Sequence, residues 1–396
     1  MKALTWQSKS TVDVKDVPDP VIEAPTDAIV RVTSTAICGS DLHLYTALAP
    51  YLAAGDILGH EFMGIVEEVG GDTGDLRVGD RVVVPFNISC GHCWMCEHGL
   101  QSQCETTQVR EQDSGAALFG YTSLYGSVPG GQAQYARVPQ AQYGPIRVPQ
   151  SGPDERYLYL SDILPTAWQG ARYAEIEGGD TVVVVGLGPV GQLATRCAKA
   201  QGAGRVIGLD LVADRLATAA EHGVETIDIT QVDDIEAAIK DRTQGRGADA
   251  VIEAVGMEAH GSPVFSVAID IASSLPKPLA RKATETFGVD RLAALETAFA
   301  VARRGGTVSI SGVYGGAANP INMMQLFDKQ LRLHMGQANV KRWIDELMPY
   351  VEDESDPFGL TTLATHHVPL TQAPAAYEMF QKKEDHCLKV VLDPTR

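Results

Sequence analysis

The sequence predicts a two-domain α/β protein, with a mostly β domain followed by a doubly wound domain built on a parallel sheet. The first 160 residues contain short β-type runs separated by Gly, Pro and Asp, namely AIVRVTS, MGIVEEVG, DRVVVPF and AQYARVP. From about residue 165 the pattern becomes β-α-β-α-β, because the strand-like TVVVVG, RVIGLDL and ADAVIEAVG alternate with the amphipathic PVGQLATRCAKAQGA and DRLATAAEHG. The glycine-rich turn after TVVVV is typical of dinucleotide-binding domains.

The remaining segments complete this division of the chain. ALETAFAVARRGG predicts a helix that leads into the strand TVSISGV, and KVVLDP predicts a late strand that returns to the first domain. The segment between AVG and this helix does not fit the alternation of strands and helices, so we predict an insertion at about residues 258–290. We therefore assign residues 1–163 and 336–396 to the first domain and residues 164–335 to the second.

Composition excludes several classes of protein. The 396 residues include 32 Lys plus Arg, 50 Asp plus Glu and 44% hydrophobic residues, which excludes intrinsic disorder. The formal net charge of -18 would repel nucleic acid and anionic membranes. No apolar run reaches the roughly 20 residues of a membrane helix, and MKALTWQSKSTVDV lacks the pattern of a signal peptide. We expect a cytoplasmic protein with neither nucleic acid nor membrane as a partner.

The glycine-rich turn carries the first candidate site, Gly186-Leu187-Gly188-Pro189-Val190-Gly191. Its first glycine permits the tight turn, the second lets the backbone approach a pyrophosphate, and the third allows close packing of helix and strand. Asp210 ends the next strand, where a carboxylate accepts hydrogen bonds from the adenosine ribose and repels a 2′-phosphate. The pattern therefore favours NAD over NADP. Arg215 is open to three roles: covering the adenine, assisting a phosphate, or remaining a solvated helix residue.

Four of the seven cysteines lie within one short segment, Cys90, Cys93, Cys96 and Cys104. In a chain without an export signal, clustered cysteines more often hold a metal than form disulfides. Four thiolates in one loop are typical of a closed tetrahedral zinc site, which stabilises a lobe without regular structure. We predict such a lobe at about residues 87–108.

A second set of metal-ligating residue types is dispersed along the chain, at Cys38, His60 and Asp162. Their spacing alone does not join them, because an isolated cysteine or histidine is more often a core or surface residue than a ligand.

Five motifs taken together identify a family. CGSDLH, GHEFMGIVEEVG, CGHCWMCEHGLQSQC, SDILPT and GLGPVG, in this order, resemble the zinc-dependent medium-chain alcohol dehydrogenases across nearly the whole chain. The resemblance is strongest to the glutathione-independent formaldehyde dehydrogenases, because of Asp162, the SDILPT turn and the long link after AVG. It implies a GroES-like fold for the first domain and a Rossmann fold for the second.

The resemblance also implies roles for single residues. It assigns a catalytic zinc to Cys38, His60 and Asp162, and a structural zinc to the four clustered cysteines, giving two zinc ions per subunit. Glu61 matches the acid behind the catalytic metal, where it either enters the coordination sphere or shapes the field. The remaining matches are the proton relay of Ser40 and His43, the supporting acid Asp41, Thr166 and Val190 near the nicotinamide, and Phe86 in the wall of the substrate pocket.

The function implied is hydride transfer between a primary alcohol or aldehyde and NAD. The alternative within the family is a formaldehyde dehydrogenase or aldehyde dismutase with tightly held NAD. The predicted insertion matches in position a segment that covers the adenosine in those enzymes, although its sequence departs from their pattern. A non-catalytic zinc module for nucleic acid conflicts with the acidic charge, and a zinc-free reductase conflicts with the cysteines. The resemblance also implies a homo-oligomer, for which we expect a tetramer, with a dimer as the other possibility.

Overall fold

A computed structural model describes residues 1–256, 292–314 and 321–396. These residues form two compact units, one comprising Met1–Pro165 with Ala338–Arg396 and the other comprising Thr166–Gln337. The insertion predicted at about residues 258–290 lies outside the described residues.

The first unit is built on a mixed sheet of seven strands and a two-stranded hairpin. The hairpin consists of β1 (Lys2–Ser8) and β2 (Thr11–Asp16). The strands of the large sheet are β3 (Ala28–Ile37), β4 (Glu61–Val69), β5 (Arg81–Val84), β6 (Tyr135–Val138), β7 (Ile146–Arg147), β14 (His366–Pro369) and β15 (Val390–Asp393). Their order in the sheet is β14-β15-β3-β4-β5-β7, and β6 also pairs with β3.

The end of the chain closes this sheet. β15 pairs antiparallel with β3, with Val391 opposite Ala36, and parallel with β14. As a result the residues just before β15 lie beside the end of β3. The helices of this unit are Gly39–Tyr45, Trp94–Glu97, Glu155–Leu158, Val340–Glu352 and Ala373–Lys382, together with the start of Ile163–Tyr173.

The second unit is a doubly wound parallel sheet, as predicted. Its order is β10-β9-β8-β11-β12-β13, and every pairing in it is parallel. The strands are β8 (Thr181–Val185), β9 (Arg205–Asp210), β10 (Glu225–Asp228), β11 (Ala248–Glu253), β12 (Ala302–Ile310) and β13 (Arg332–Met335). The described helices on this sheet are Pro189–Ala200, Ala213–Glu221, Ile235–Arg242, Ala293–Val301 and Met323–Lys329.

Two local predictions are wrong. The helix predicted over ALETAFAVARRGG ends at Val301, and ARRGG belongs to β12. Two glycines at the end of this segment disfavour a helix, and Gly305 adopts a φ of 69°, which bends the start of the strand. The SDILPT segment is not a simple turn, because Ile163 begins an 11-residue helix immediately after Asp162.

No helix formed by the described residues is both long enough and apolar enough to cross a membrane.

Candidate metal centres and dinucleotide site

Four potential metal-ligating side chains from distant parts of the first unit converge. Cys38 follows β3, His60 directly precedes β4, Glu61 begins β4, and Asp162 precedes the helix Ile163–Tyr173. All four residues are buried, and one ligand atom from each lies within 4.8 Å of the others. The sheet pairing explains part of this convergence, because Ala36 of β3 is opposite Glu61 of β4.

The ring of His60 has a different environment at each nitrogen. Nε2 lies 3.3 Å from Oδ2 of Asp162 and 3.2 Å from Oγ of Ser40, while the Cys38 thiol donates to the same Asp162 oxygen at 3.5 Å. Nδ1 lies 3.1 Å from Oδ1 of Asp41. A carboxylate on one nitrogen orients the ring and leaves the other nitrogen for a metal. Nε2 is therefore the atom that would coordinate a metal.

Asp41 is held in place by further contacts. Its Oδ2 accepts a hydrogen bond from the backbone N–H of Cys38 at 2.9 Å and one from Nε2 of Gln132 at 3.3 Å. The Oε1 of Gln132 in turn accepts a hydrogen bond from the hydroxyl of Tyr377 at 2.8 Å. Asp41 thus connects Cys38 and His60 to a buried polar network.

Glu61 is paired with a cation that the sequence did not suggest. The Nζ of Lys389 donates to both carboxylate oxygens of Glu61 at 2.7 Å and to the backbone oxygen of Ile37 at 2.9 Å. This lysine comes directly before β15, so the return of the chain to β3 brings it to the cluster. In the sequence it stands in KVVLDP, a pattern that indicates only a strand.

The electrostatics of the cluster fit a divalent cation. Burial, reinforced by the charges of Glu61 and Asp162, raises the pKa of the Cys38 thiol to about 11. Burial opposes protonation of His60, but Asp41 and Asp162 outweigh it and raise the His60 pKa well above its usual value. A divalent cation would offset this concentration of buried acidic groups. The sulfur of Cys38, the nitrogen of His60 and the oxygen of Asp162 are donors typical of a catalytic zinc, and three such ligands leave one coordination position open.

The predicted relay residues lie on the short helix that follows Cys38. Ser40 and His43 both belong to Gly39–Tyr45, and the His43 ring is buried, with 6% exposure. The contact of Ser40 with Nε2 of His60 places its hydroxyl at the metal-facing side of the cluster. His43 lies three residues further along the same helix.

Two aromatic rings stand edge-on to the His60 imidazole. Phe86, the predicted pocket residue, has its ring centroid 6.4 Å from that of His60 at an interplanar angle of 71°. Tyr121 has its centroid 6.2 Å away at 75°.

The four clustered cysteines form a second candidate metal centre. All seven cysteines of the chain are free thiols, and the sulfur atoms of Cys90, Cys93, Cys96 and Cys104 lie within 4.8 Å of one another. The amide of Cys90 donates to the sulfur of Cys104, and the amide of Glu105 donates to the sulfur of Cys93, each at 3.4 Å. A hydrogen bond from Cys96 lowers the pKa of Cys104 to about 3. Amide donors and deprotonated sulfur suit a closed zinc–thiolate site.

In the second unit the glycine-rich turn has the geometry expected for a dinucleotide site. Gly186 adopts a φ of 88°, and a β-carbon on Gly191 would lie 1.9 Å from the backbone oxygen of Gly186. Both positions therefore require glycine. Pro189 opens the helix Pro189–Ala200, with Gly188 as its N-cap. Leu187 lies in the turn between the first two glycines, Val190 lies in the first turn of this helix, and Thr166 lies in the helix Ile163–Tyr173.

Asp210 is already engaged with the backbone of this site. Its Oδ2 accepts a hydrogen bond from the amide of Leu187 at 2.7 Å, and its Oδ1 accepts from the amides of Leu211 and Val212 at 2.7 and 2.9 Å. Nη1 of Arg215 lies 4.0 Å from the same carboxylate. Asp210 therefore shapes the turn as well as standing where a ribose would bind.

Comparison with known proteins extends over the whole chain. Residues 24–149 match the family model described as alcohol dehydrogenase GroES-like domain, and residues 189–269 match the model described as zinc-binding dehydrogenase.

Three individual proteins illustrate the similarity. An uncharacterized zinc-type alcohol dehydrogenase-like protein of Bacillus subtilis is 40% identical, with 100% of each chain covered. The formaldehyde dismutase of Pseudomonas putida is 31% identical, covering 99% of this chain and 97% of the other. The solved structure of an alcohol dehydrogenase from Thermus sp. ATN1 is 33% identical, with 99% of each chain covered and a TM-score of 0.82.

Proposed function

The chain belongs to the zinc-type alcohol dehydrogenase family, and from that premise we propose that it transfers a hydride between a primary alcohol, or the corresponding aldehyde, and NAD. The observation that carries the proposal is the buried convergence of Cys38, His60 and Asp162. Three protein ligands of these types leave a fourth zinc position for a substrate oxygen. We assign a second, structural zinc to the four-cysteine cluster, which offers no open position.

In the proposed reaction, zinc and NAD supply the reactive groups, and the residues of the protein position them and transfer protons. Zinc, when bound, supplies a Lewis acid for the substrate oxygen, and NAD supplies a nicotinamide ring that exchanges hydride. Asp41 fixes the His60 ring through Nδ1, so that Nε2 is presented as a ligand. The Ser40 hydroxyl accepts the proton of the substrate hydroxyl at Oγ while releasing its own proton, and we assign His43 as a later member of the relay that leads to solvent. Glu61, neutralised by Lys389, stands behind the ligands as a fixed acid.

The choice of NAD over NADP rests on Asp210. Its carboxylate is almost fully buried, with 6% exposure, and three backbone amides hold it at the end of β9. A 2′-phosphate at this position would face a fixed negative charge, whereas ribose hydroxyls can donate to it. Arg215, close to this carboxylate, is partly neutralised by it and so offers less positive charge to a phosphate.

A second candidate function is aldehyde dismutation with resident NAD. The similarity to a formaldehyde dismutase over nearly the full length of both chains favours it, as does Asp162 among the candidate ligands. Resident NAD would oxidise one aldehyde and then reduce another, so that acid and alcohol form in equal amounts. Denaturing freshly purified protein and measuring the released nucleotide separates the two functions.

We further propose that the protein forms homo-oligomers through the edge of its parallel sheet. β13 ends the described sheet, and its Leu333 and Met335 are 46% and 62% exposed. Phe327, on the preceding helix, is 81% exposed. An apolar edge strand has unpaired backbone N–H and C=O groups that can pair with another chain. Two copies of this chain would pair these edges about a two-fold axis. The mass in solution, before and after Leu333→Asp, tests this proposal.

The experiment that tests the function is a substrate panel on zinc-replete protein. Formaldehyde, small alcohols and bulky aromatic alcohols are assayed by nicotinamide absorbance, with and without added NAD. We expect turnover of primary alcohols that depends on added NAD. Cys38→Ser should lose this turnover together with one zinc ion, whereas Cys197→Ala, at a buried thiol in the helix Pro189–Ala200, should keep both. Alcohol turnover that survives Cys38→Ser would refute the assignment of the catalytic zinc.

A further inference from the structure

Glu253 occupies a central position in the parallel sheet that no part of the proposed mechanism uses. It is the last residue of β11 and is fully buried. It pairs with Val185 of β8 on one side and with Ile310 of β12 on the other. It therefore stands at the carboxyl edge of the sheet, next to the strand that leads into the glycine-rich turn.

The Glu253 carboxylate and backbone organise the loops that follow β11 and β12. Oε1 accepts hydrogen bonds from the amides of Val255 and Gly256 at 2.7 and 2.9 Å. The backbone oxygen of Glu253 accepts from the amides of Ser311 and Gly312 at 2.9 and 3.1 Å. One residue thus holds the start of both loops.

Two glycines allow these loops to close around the carboxylate. A β-carbon on Gly312 would lie 2.3 Å from Oε2 of Glu253 and 2.3 Å from the amide nitrogen of Gly256. Gly256 has a φ of 58°, and a β-carbon there would lie 2.5 Å from the amide nitrogen of Val313. The two loops therefore touch backbone to backbone, and the Glu253 side chain lies against this contact.

The loop held by Glu253 also packs on the glycine-rich turn. A β-carbon on Gly186 would lie 2.4 Å from Cγ2 of Val255, so the Val255 side chain occupies the space over the first glycine. A β-carbon on Gly191 would lie 3.8 Å from Cβ of Ala254, which places this residue against the third glycine. The contacts run from Glu253 through its neighbours to both outer glycines of the motif.

From these contacts we infer that Glu253 is a positioning residue for the dinucleotide, which fixes the glycine-rich turn through Val255 and Ala254. In open parallel sheets the dinucleotide binds at the carboxyl edge, where the strand order reverses, and here that point lies between β8 and β11. A carboxylate that accepts two adjacent amides restrains the loop more firmly than a neutral acceptor does. This inference rests on the proposed function, because it requires that the turn bind a dinucleotide.

The pKa of the buried Glu253 carboxylate depends on its hydrogen-bond donors. Burial raises the pKa of Glu253, although the amides of Gly256 and Val255 and the hydroxyl of Tyr314 act in the opposite direction. With glutamine in place of Glu253, the side-chain oxygen still accepts from the amides of Val255 and Gly256, but an N–H group stands where Oε2 stands, against Gly312. The amide of Gly312, which favours the carboxylate, would then face another donor. Opposed donors would then push the two loops apart, and Val255 would move with its loop.

The test measures the dissociation constant of NADH by fluorescence, without alcohol, alongside zinc content and melting temperature. We expect Glu253→Gln to weaken NADH binding about tenfold, as for the loss of about one hydrogen bond, with zinc content unchanged. Glu253→Asp should bind within about threefold of the parent, because aspartate also accepts from amides two and three residues ahead. Rescue by this conservative variant shows that the carboxylate, and not the length or volume of the side chain, is what the dinucleotide site requires.

Asp249→Asn is the matched control on the same strand. Asp249 lies at the amino end of β11, where it accepts from the amide of Thr181 at 2.9 Å and from Nε of Arg303 at 2.6 Å. We expect this variant to lower the melting temperature and leave NADH binding unchanged. Binding by Glu253→Gln within twofold of the parent, or equal weakening in Asp249→Asn, overturns the inference while the proposed function stands. Failure of the parent protein to bind NADH overturns both.

Discussion

Lys389 Nζ lies 2.7 Å from both carboxylate oxygens of Glu61, and neither side chain is exposed to solvent. The same ammonium donates to the backbone oxygen of Ile37, the residue before the candidate ligand Cys38. The last strand of the first unit is thereby joined to the back of the candidate metal site. Since two charges are buried together, removal of either one leaves the other without compensation.

We therefore expect Lys389→Met to lower the free energy of unfolding by about 3–5 kcal/mol. The measurement is urea unfolding of the zinc-loaded protein. Combining it with Glu61→Gln should recover part of the loss, because the uncompensated carboxylate is then absent. Lys382→Met, which removes an exposed lysine paired with Glu378, is the matched control and should leave the unfolding curve nearly unchanged. An equal effect of the two lysine substitutions would contradict the argument.

The four-cysteine cluster leads to a prediction about metal content. Cys104 is fully buried, and its sulfur accepts a hydrogen bond from the amide of Cys90. We expect Cys104→Ser to reduce zinc from about two ions to about one per chain and to lower the melting temperature, since a structural zinc contributes directly to folding. Elemental analysis and thermal unfolding check both effects. NADH binding, which we assign to the glycine-rich turn of the second unit, should persist, and a variant that keeps both zinc ions would refute the assignment.

Lys341 provides a prediction of pH dependence. Burial lowers the pKa of Lys341 to about 8 from an ordinary value of 10.5. The unfolded chain therefore keeps this proton at pH values where the folded protein has released it. Stability from this group is fully present above pH 10.5 and is lost as the pH falls through 8.

Lys341→Met should accordingly stabilise the protein by about 1 kcal/mol at neutral pH, and the gain should shrink as the pH rises above 8. Thermal unfolding of both proteins across this range measures the difference. Lys341→Arg, which keeps the charge at every pH tested, should show no such gain. A stabilisation by methionine that does not vary with pH would point to packing against Tyr143, whose ring centroid lies 5.0 Å from Nζ, and not to the charge.

How much the sequence predicted depends on how far apart the contributing residues stand. The cysteines from Cys90 to Cys104 share one loop, so their spacing alone indicates a metal, and the turn from Gly186 to Gly191 is equally local. Cys38, His60 and Asp162 meet only because of strand pairing and a helix start, and the family resemblance was needed to join them. Lys389 lies still further along the chain and stands in an ordinary strand pattern, so no signal in the sequence pointed to its contact with Glu61.

The success of secondary-structure prediction also depends on whether an element carries its own local sequence pattern. The long apolar strands of both units were predicted because each carries its own pattern. The hairpin of β1 and β2, the short β10 and the exposed edge strand β13 were not predicted, since short or solvent-exposed strands depend on their neighbours for stability. The wrong helix end at Val301 has the same origin, because Ala302 pairs with Ala248 and the pairing then resumes at Thr307, opposite Ala250.

The two aromatic rings beside His60 lead to a prediction about substrate size. Phe86 and Tyr121 stand edge-on to the imidazole at centroid distances of 6.4 and 6.2 Å. Burial raises the pKa of Tyr121, so its hydroxyl stays neutral and the side chain acts as a wall. We expect Tyr121→Ala to raise kcat/KM for a bulky aromatic alcohol relative to ethanol about tenfold, because a larger space opens beside the candidate zinc.

Steady-state kinetics at saturating NAD measure this ratio. Tyr121→Phe is the control, since it keeps the ring and removes only the hydroxyl, and its ratio should remain close to that of the parent. If the two variants change the ratio equally, the hydroxyl and not the ring determines selectivity. If neither changes it, Tyr121 lies outside the space that the substrate occupies, and Phe86 becomes the residue to replace.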